Sequence, residues 1–345
     1  MTARPLPSFD ARAFAASHRF RADIEEVPAG IARPLWSVMI PVFNCSEALR
    51  RSLSSVLAQA PAPELMQIEV VDDCSTRCDP EAVVSALGEG RVDFFRQPVN
   101  VGHSRNFNSC LQRARGQLVH ILHGDDWVGS GFYERLQALF GTHPEIGAAF
   151  CRHTIVSPDG TVQRISPLER EEAGVLDGWT EAIAAELRLQ PPSIVVRRSV
   201  YEHLGGFDTR MASCGEDWEM WVRIAATYPV AYEPLPLAFY EDGSDSLTKR
   251  SIRSGQNIRD VRRATRISRS YLKGPARAAN ARANANWADW ALHWARKLFE
   301  RDEYIAGLIQ LKEALLCSRS NKILRHAARI AWFGLRRALR QRRMV

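Results

Sequence analysis

Between Trp36 and Asp126 one pattern repeats: a short apolar run, a polar break, then an amphipathic stretch. Trp36–Val42 (WSVMIPV) is apolar almost throughout, the mark of a strand covered on both faces. Asn44-Cys-Ser-Glu47 reads as a capping box, and Leu49, Leu53, Val56 and Leu57 follow at helical spacing. Gln67–Asp72 is a second strand, and Asp79-Pro80 is a helix start, a cap followed by proline at the first helical position. Arg91–Arg96 reads as a third strand, followed by a helix around Ser104–Ala114 that Gly116 ends. The fourth strand, Gln117–Leu122, runs straight into His123-Gly-Asp-Asp126. Strands and helices alternating at this spacing predict parallel βαβ units and an α/β fold. Ligands of such sheets bind beyond the carboxyl ends of the strands. Asn44, Asp72, Asp73, Asp125 and Asp126 all fall there.

After Asp126 the pattern loosens. Ala148–Val156 and Gly160–Ile165 predict a hairpin about Pro158-Asp-Gly160. Gly178–Leu189 predicts a helix, Pro192–Arg197 a strand, Glu216–Thr227 an amphipathic helix and Val230–Tyr240 an extended segment. From about Ser251 the chain reads as helical, with Arg277–Phe299 and Glu303–Leu316 as a helical hairpin. The expected organisation is a leader over 1–35, partly ordered at best, a main domain over 36–250, a helical region over 251–318 and a basic tail over 319–345.

Charge is concentrated in that tail. Of 46 Lys and Arg, nine lie between Arg319 and Val345, where no acid occurs. Removing them leaves the rest slightly acidic against 39 Asp and Glu, which argues against nucleic acid as a partner. Lys322–Arg343 (KILRHAARIAWFGLRRALRQRR) gathers Ile323, Ala327, Ile330, Ala331 and Gly334 near one helical face, with Leu324, Ala328, Leu335 and Leu339 flanking it and the large apolar Trp332 and Phe333 in the middle. Such a helix either lies on an anionic membrane surface or docks on the protein with its basic face in water. The unbalanced charge favours the membrane. No run approaches the ~18 apolar residues of a spanning helix, and the N-terminal segment has no apolar core, so a cytoplasmic location is expected, peripheral on the inner face of the membrane. The seven cysteines form no CxxC pair and predict reduced, mostly buried thiols.

The carboxylates admit two readings each. Asp125 and Asp126 offer hard oxygen ligands for Mg²⁺ or Mn²⁺, or form a solvated acidic turn before the next helix. Asp72 and Asp73 accept hydrogen bonds from a nucleobase or ribose, or close an Asx-turn before Ser75 and Thr76. Asp217 is a general base for a hydroxyl nucleophile, or a first-turn charge favoured by the helix dipole. Trp221 reads as core, while Trp218 is open between core and a sugar-facing ring.

Taken together, these segments resemble the family 2 glycosyltransferases, inverting enzymes with a GT-A fold. The resemblance covers roughly Trp36–Lys249. It rests on Trp36–Asn44, on Ile68-Glu-Val-Val-Asp-Asp-Cys-Ser-Thr76, on Asn100-Val-Gly-His-Ser-Arg-Asn106, on His123-Gly-Asp-Asp126 and on Gly215-Glu-Asp-Trp-Glu-Met-Trp-Val-Arg223, in that order. The fold so implied is a Rossmann-like, mostly parallel sheet flanked by helices, with a helical C-terminal region. The implied chemistry is transfer of a sugar from a nucleotide-sugar donor, most commonly a UDP-sugar, to a sugar or lipid-linked acceptor, as in bacterial surface-polysaccharide or glycolipid assembly. The implied donor site is Pro41, Phe43, Asn44, Asp72, Asp73, Arg105 and Asp125. Asp125 would bind the metal and Asp217 would deprotonate the acceptor, with Glu216 and Trp218 in the acceptor pocket.

The family's D-x-D-D metal motif has His123 in its first position here. Either the metal rests on Asp125, with Asp126 nearby and donor oxygens, or His123 adds a nitrogen, which shifts preference from Mg²⁺ toward Mn²⁺. Gln-x-x-Arg-Trp, the mark of processive members, does not follow Asp217, so one sugar per encounter is expected. Two rival classes remain. A nucleotidyltransferase would carry a Gly-rich loop after the first strand, where this chain has Phe43-Asn-Cys-Ser46. A non-catalytic scaffold would bind partners through residues 251–318. A nicotinamide dehydrogenase lacks its G-x-G-x-x-G after a strand.

Overall fold

The structure, a computed structural model, describes residues 10, 14–15, 18–243 and 247–341. Its strands are β1 (Trp36–Val42), β2 (Met66–Asp72), β3 (Asp93–Arg96), β4 (Leu118–Ile121), β5 (Trp127–Val128), β6 (Ala148–Val156), β7 (Val162–Ile165), β8 (Gly174–Val175), β9 (Ile194–Arg197) and β10 (Val230–Glu241). They form one sheet with the path β3-β2-β1-β4-β9-β6-β10-β5, with β7 added to β6 and β8 to β10. The β3-β2-β1-β4 part is parallel. β9 is antiparallel to both β4 and β6, and β10 returns parallel to β6.

The parallel part follows from its apolar runs, because both faces are covered. Trp36, Val38, Ile40 and Val42 of β1 face one core, with Leu49, Leu53 and Val56 of helix α1 (Ser46–Leu57). Met39 faces the opposite core with Phe107, Cys110 and Leu111 of α3 (His103–Arg113). α2 (Pro80–Gly88) joins β2 to β3 and begins as the sequence predicts: Asp79 accepts from the amides of Glu81 and Ala82, ahead of Pro80.

The chain leaves β1 toward β2 and β3, then crosses back to place β4 on the other side of β1. This is the switch point at which open α/β sheets form a crevice. The segments beyond the strand ends stay tied to it. The amide of Leu122 donates to Met39 O, that of Gly124 to Pro41 O and that of Asp73 to Val42 O.

α4 (Phe132–Thr142), α5 (Trp179–Ala185), α6 (Arg198–Leu204) and α7 (Glu216–Ala225) complete the sheet layers. Beyond them come α8 (Leu247–Ser254), α9 (Gln256–Tyr271), α10 (Gly274–Glu300), α11 (Tyr304–Cys317) and α12 (Asn321–Gln341). α10 and α11 pack as the predicted hairpin. Ala264, Ile267 and Tyr271 of α9 belong to the same core as Trp218 and Trp221 of α7. The described part of the leader is packed there too: Ile24 is buried, and the Arg21 guanidinium, 3.5 Å from Glu219, is stripped of solvent.

Two expectations need correction. Asn44 does not cap α1. Its N-cap is Cys45 without a side-chain bond, and the Asn44 side chain turns instead to the loop after β2. In the tail, the face expected to meet a membrane is docked on the protein. Ile323, Ala327 and Ile330 of α12 are buried in a core with Leu292 and Phe299 of α10, because burying that stripe satisfies its apolar surface locally. Residues 342–345 of the tail and 1–9, 11–13 and 16–17 of the leader lie outside the described residues.

Candidate active site at the strand ends

His123, Gly124, Asp125 and Asp126 leave β4 beside the end of β1. Gly124 is required by proximity: a Cβ there would meet Val42 Cγ1 at 2.6 Å and Cys45 Sγ at 3.0 Å. With no side chain in the way, the loop lies on the strand end and sets its two carboxylates at the crevice. Asp126 is buried; its Oδ1 accepts from the amide of Glu241 at 3.0 Å, and its Oδ2 has no hydrogen-bond partner among the described residues. The His123 imidazole stacks on Phe107 with centroids 4.8 Å apart, and its Nδ1 is 3.7 Å from Asp126 Oδ2. Burial holds its pKa down at about 4, so the ring is neutral. Burial raises the pKa of both aspartates.

One ligand atom from each of His123, Asp125 and Asp126 lies within 4.8 Å of the others. The unpartnered Asp126 oxygen, the neutral imidazole and the second carboxylate form a donor set that fits a divalent cation. Behind it, the Arg51 guanidinium of α1 pairs with Glu241 and sits 3.8 Å from the Trp127 ring, which stacks on Phe239.

The other wall comes from the ends of β1 and β2. Asn44, at φ 56°, accepts from the amides of Thr76 and Arg77, both at 2.9 Å, and donates its own amide to Ser75 Oγ at 2.8 Å. Asp72 takes the amide and hydroxyl of Ser75 and, at 2.7 Å, Arg96 Nε. Asp73 accepts from the amides of Val101 and Gly102 at 2.7 and 2.9 Å. The two carboxylates tie the loop after β2 to β3 and the loop that follows it, Asn44 adds the loop after β1, and Asp72 makes the Asx-type turn before Ser75. Pro41 is buried in β1, while Phe43 just beyond it exposes its ring and Arg105 lies on the open side of α3.

The third element is the start of α7. Gly215, at φ 88°, is its N-cap and delivers Glu216 and Asp217 into the first turn. Glu216 is buried, with Oε1 3.1 Å from His103 Nε2 and Oε2 without a hydrogen-bond partner among the described residues. Asp217 lines a narrow, mostly apolar pocket together with His123, Phe107, Ile194, Phe207 and Trp221. Burial first, and the Glu216 charge second, push its carboxyl up to about 7. The His103 imidazole is pulled down by burial and up by Glu216 and Asp217, with a net rise.

Trp218 is not in the acceptor pocket. It is fully buried, donates its indole N–H to Ile183 O at 2.7 Å and packs edge-on against Trp287. At helical spacing it points away from the side that carries Asp217, and Trp221, also core, is the one that reaches the pocket wall.

Sequence reasoning gave no role to His103, Arg51 or Asp260. Asp260 on α9 is buried and accepts from the amides of Ala212 and Ser213 at 3.0 and 2.9 Å and from Ser213 Oγ at 2.9 Å, fixing the loop that leads into Gly215. Only long-range packing joins these residues to the site. The available signal was the position of His103 inside an otherwise matching motif.

Residues 37–205 match the family described as Glycosyl transferase family 2. An uncharacterised protein of Mycobacterium tuberculosis is 30% identical over 247 residues, 67% of this chain and 75% of the relative. The O-antigen biosynthesis protein RfbC of Myxococcus xanthus is 30% identical over 212 residues, 56% of this chain but 16% of the relative, so the chain spans a small part of that protein. Among solved structures, the mannosyltransferase PcManGT of Pyrobaculum calidifontis, in complex with GDP-Man and Mn²⁺, shares the fold at a TM-score of 0.56 and 18% identity, covering 93% of both chains. With the crevice at the β1/β4 switch point, the acidic loop after β4 and this sequence kinship, the chain belongs to the family 2 glycosyltransferases.

Proposed function

We propose that the protein transfers a single sugar from a nucleotide-diphosphate sugar to an acceptor hydroxyl by one inverting displacement, with Asp217 as general base. The observation that carries this reading is the shared pocket of Asp217 and His123, which opposes a poised carboxyl to the acidic loop. A sugar hydroxyl attacks only as its proton is withdrawn, and a carboxyl raised to about 7 is well matched to that task near neutrality. In this reading the donor nucleotide lies along Pro41, Phe43, Asn44, Asp72 and Asp73, with the exposed Phe43 ring against the base and Arg105 toward the diphosphate. Asp125, with His123 and Asp126, would hold Mn²⁺ or Mg²⁺, which supplies positive charge for the departing diphosphate. The catalytic unit is taken as residues 36–250, braced by the helices of 251–318.

UDP is the nucleotide the family most often uses, and the structural neighbour named above was solved with GDP-Man and Mn²⁺. The name of the Myxococcus relative supports a role in bacterial surface-polysaccharide assembly. We place the acceptor on a sugar or lipid carrier at the anionic inner face of the cytoplasmic membrane, approached through residues 319–345.

The test is Asp217→Asn. Transfer falls by about 10²–10⁴-fold while donor affinity, measured by calorimetry, stays within about twofold. An equal loss of donor affinity would assign Asp217 to donor binding instead.

A further inference from the structure

α12 has two apolar stripes, and only one is used by the fold. Ile323, Ala327 and Ile330 dock on α10. A second stripe, Leu324, Ala328, Trp332, Leu335 and Leu339, stays exposed, with Trp332 at 54% and Leu335 at 51%. At 100° per residue these five fall within about 80° of arc. The next part of the outer face carries Arg325, Arg329, Arg336 and Arg340, all exposed and forming no ion pair among the described residues.

The neighbouring helix repeats the arrangement. Along α11, Ile305, Leu308 and Leu316 are exposed at i, i+3 and i+11, Ile305 at 78%, with the exposed Lys312 among them. The two helices meet around one ring: a Cβ on Gly307 or on Gly334 would collide with Phe299 at 2.4 or 2.8 Å. The Arg337–Asp302 pair at 2.7 Å ties α12 to the turn that leads into α11. Exposed apolar stripes are therefore carried on two packed helices. The acid of α11, Glu313, is buried and held by Arg259 and Arg262.

We propose that the outer faces of α11 and α12 together form a monotopic platform for an anionic phospholipid surface. Leu308, Trp332 and Leu335 enter the acyl boundary, and the four arginines of α12 meet lipid phosphates. The proposal deepens the membrane reading above and rests on it, but moves the contact from Ile323, Ala327 and Ile330, which the fold buries, to the flanking residues it leaves exposed, and adds α11. Charge decides the occupant. Apolar side chains bordered by unneutralised arginines suit a negative, planar, partly apolar surface, which is the chemistry of an anionic bilayer. A second copy of this face would oppose arginine to arginine.

The experiment is co-sedimentation of the full chain with phosphatidylglycerol-containing vesicles and with pure phosphatidylcholine vesicles. Three variants accompany it: Trp332→Glu with Leu335→Glu, Ile305→Glu with Leu308→Glu, and Arg325→Glu with Arg329→Glu. All six positions are exposed, so folding, checked by circular dichroism, is retained. The wild type binds anionic vesicles, salt raises its dissociation constant, and each double variant weakens binding at least about tenfold while donor hydrolysis is unchanged. If the arginine variant loses binding and both apolar variants keep it, the basic-tail contact stands and this platform is wrong. If the wild type ignores anionic vesicles, both fall. Self-association in sedimentation velocity that the same variants abolish, without vesicle binding, makes a second copy the occupant and overturns the proposal.

Discussion

The His103 imidazole lies 3.1 Å from the Glu216 carboxylate, one residue before Asp217. The contact joins the first turn of α3, which follows the loop held by Asp73, to the first turn of α7. It makes the charge beside Asp217 depend on a histidine carried by a helix far away in the chain.

A pH signature follows. Asp217 accepts a proton only when ionised, so kcat/KM rises as pH climbs through about 7. Glu216 raises the Asp217 pKa and His103 lowers it. Glu216→Gln therefore moves the acid limb to lower pH, and His103→Gln moves it to higher pH. Profiles with a saturating donor check both directions; limbs that do not move would separate this pair from the base.

Gly124→Ala probes the seat of the acidic loop. The added methyl would sit 2.6 Å from Val42 Cγ1 and 3.4 Å from Pro41 O, against a strand end with little freedom to move. Overpacking of this kind costs about 1–3 kcal/mol. The expected outcome is a lowered denaturation midpoint together with weaker metal-dependent donor binding, measured on the same preparation.

Asp260 is a positioning residue outside the matched segment 37–205. Its carboxylate gathers three donors from Ala212 and Ser213. Asp260→Ala leaves the buried Ser213 amide and hydroxyl unpaired, at about 1–3 kcal/mol, and loosens the approach to Gly215. The prediction is a fall in kcat with donor KM nearly unchanged, partly restored in Asp260→Asn, which keeps an acceptor oxygen. A parallel rise in donor KM would place the effect elsewhere.

The sheet was legible because its parallel strands are buried on both faces, so their apolar runs stand out, and because Asp79-Pro80 carries its own start signal. The acidic loop and the start of α7 were legible as motifs. The roles within them were less so. Asn44-Cys-Ser-Glu47 satisfies the spacing of a capping box, yet the amides of Thr76 and Arg77, 32 and 33 residues further along the chain in the loop after β2, compete for the Asn44 oxygen and win. Trp218 and Trp221 both suit an amphipathic helix; only the packing of Trp287 from α10 decides that Trp218 is covered. In α12 the sequence contains two stripes, and the choice between them is made by Phe299 and Leu292, which local periodicity cannot see.

In the proposed function, the His123–Asp126 loop and the β1/β2 edge together bind a metal and a nucleotide sugar. Thermal stabilisation across a panel of nucleotide sugars, each with Mn²⁺, Mg²⁺ or EDTA, tests it most directly. One donor is expected to raise the midpoint by several degrees with metal; EDTA removes the shift and Asp125→Ala abolishes it. No shift with any donor or nucleotide in the presence of metal would contradict it, and would favour a non-catalytic scaffold that keeps the fold.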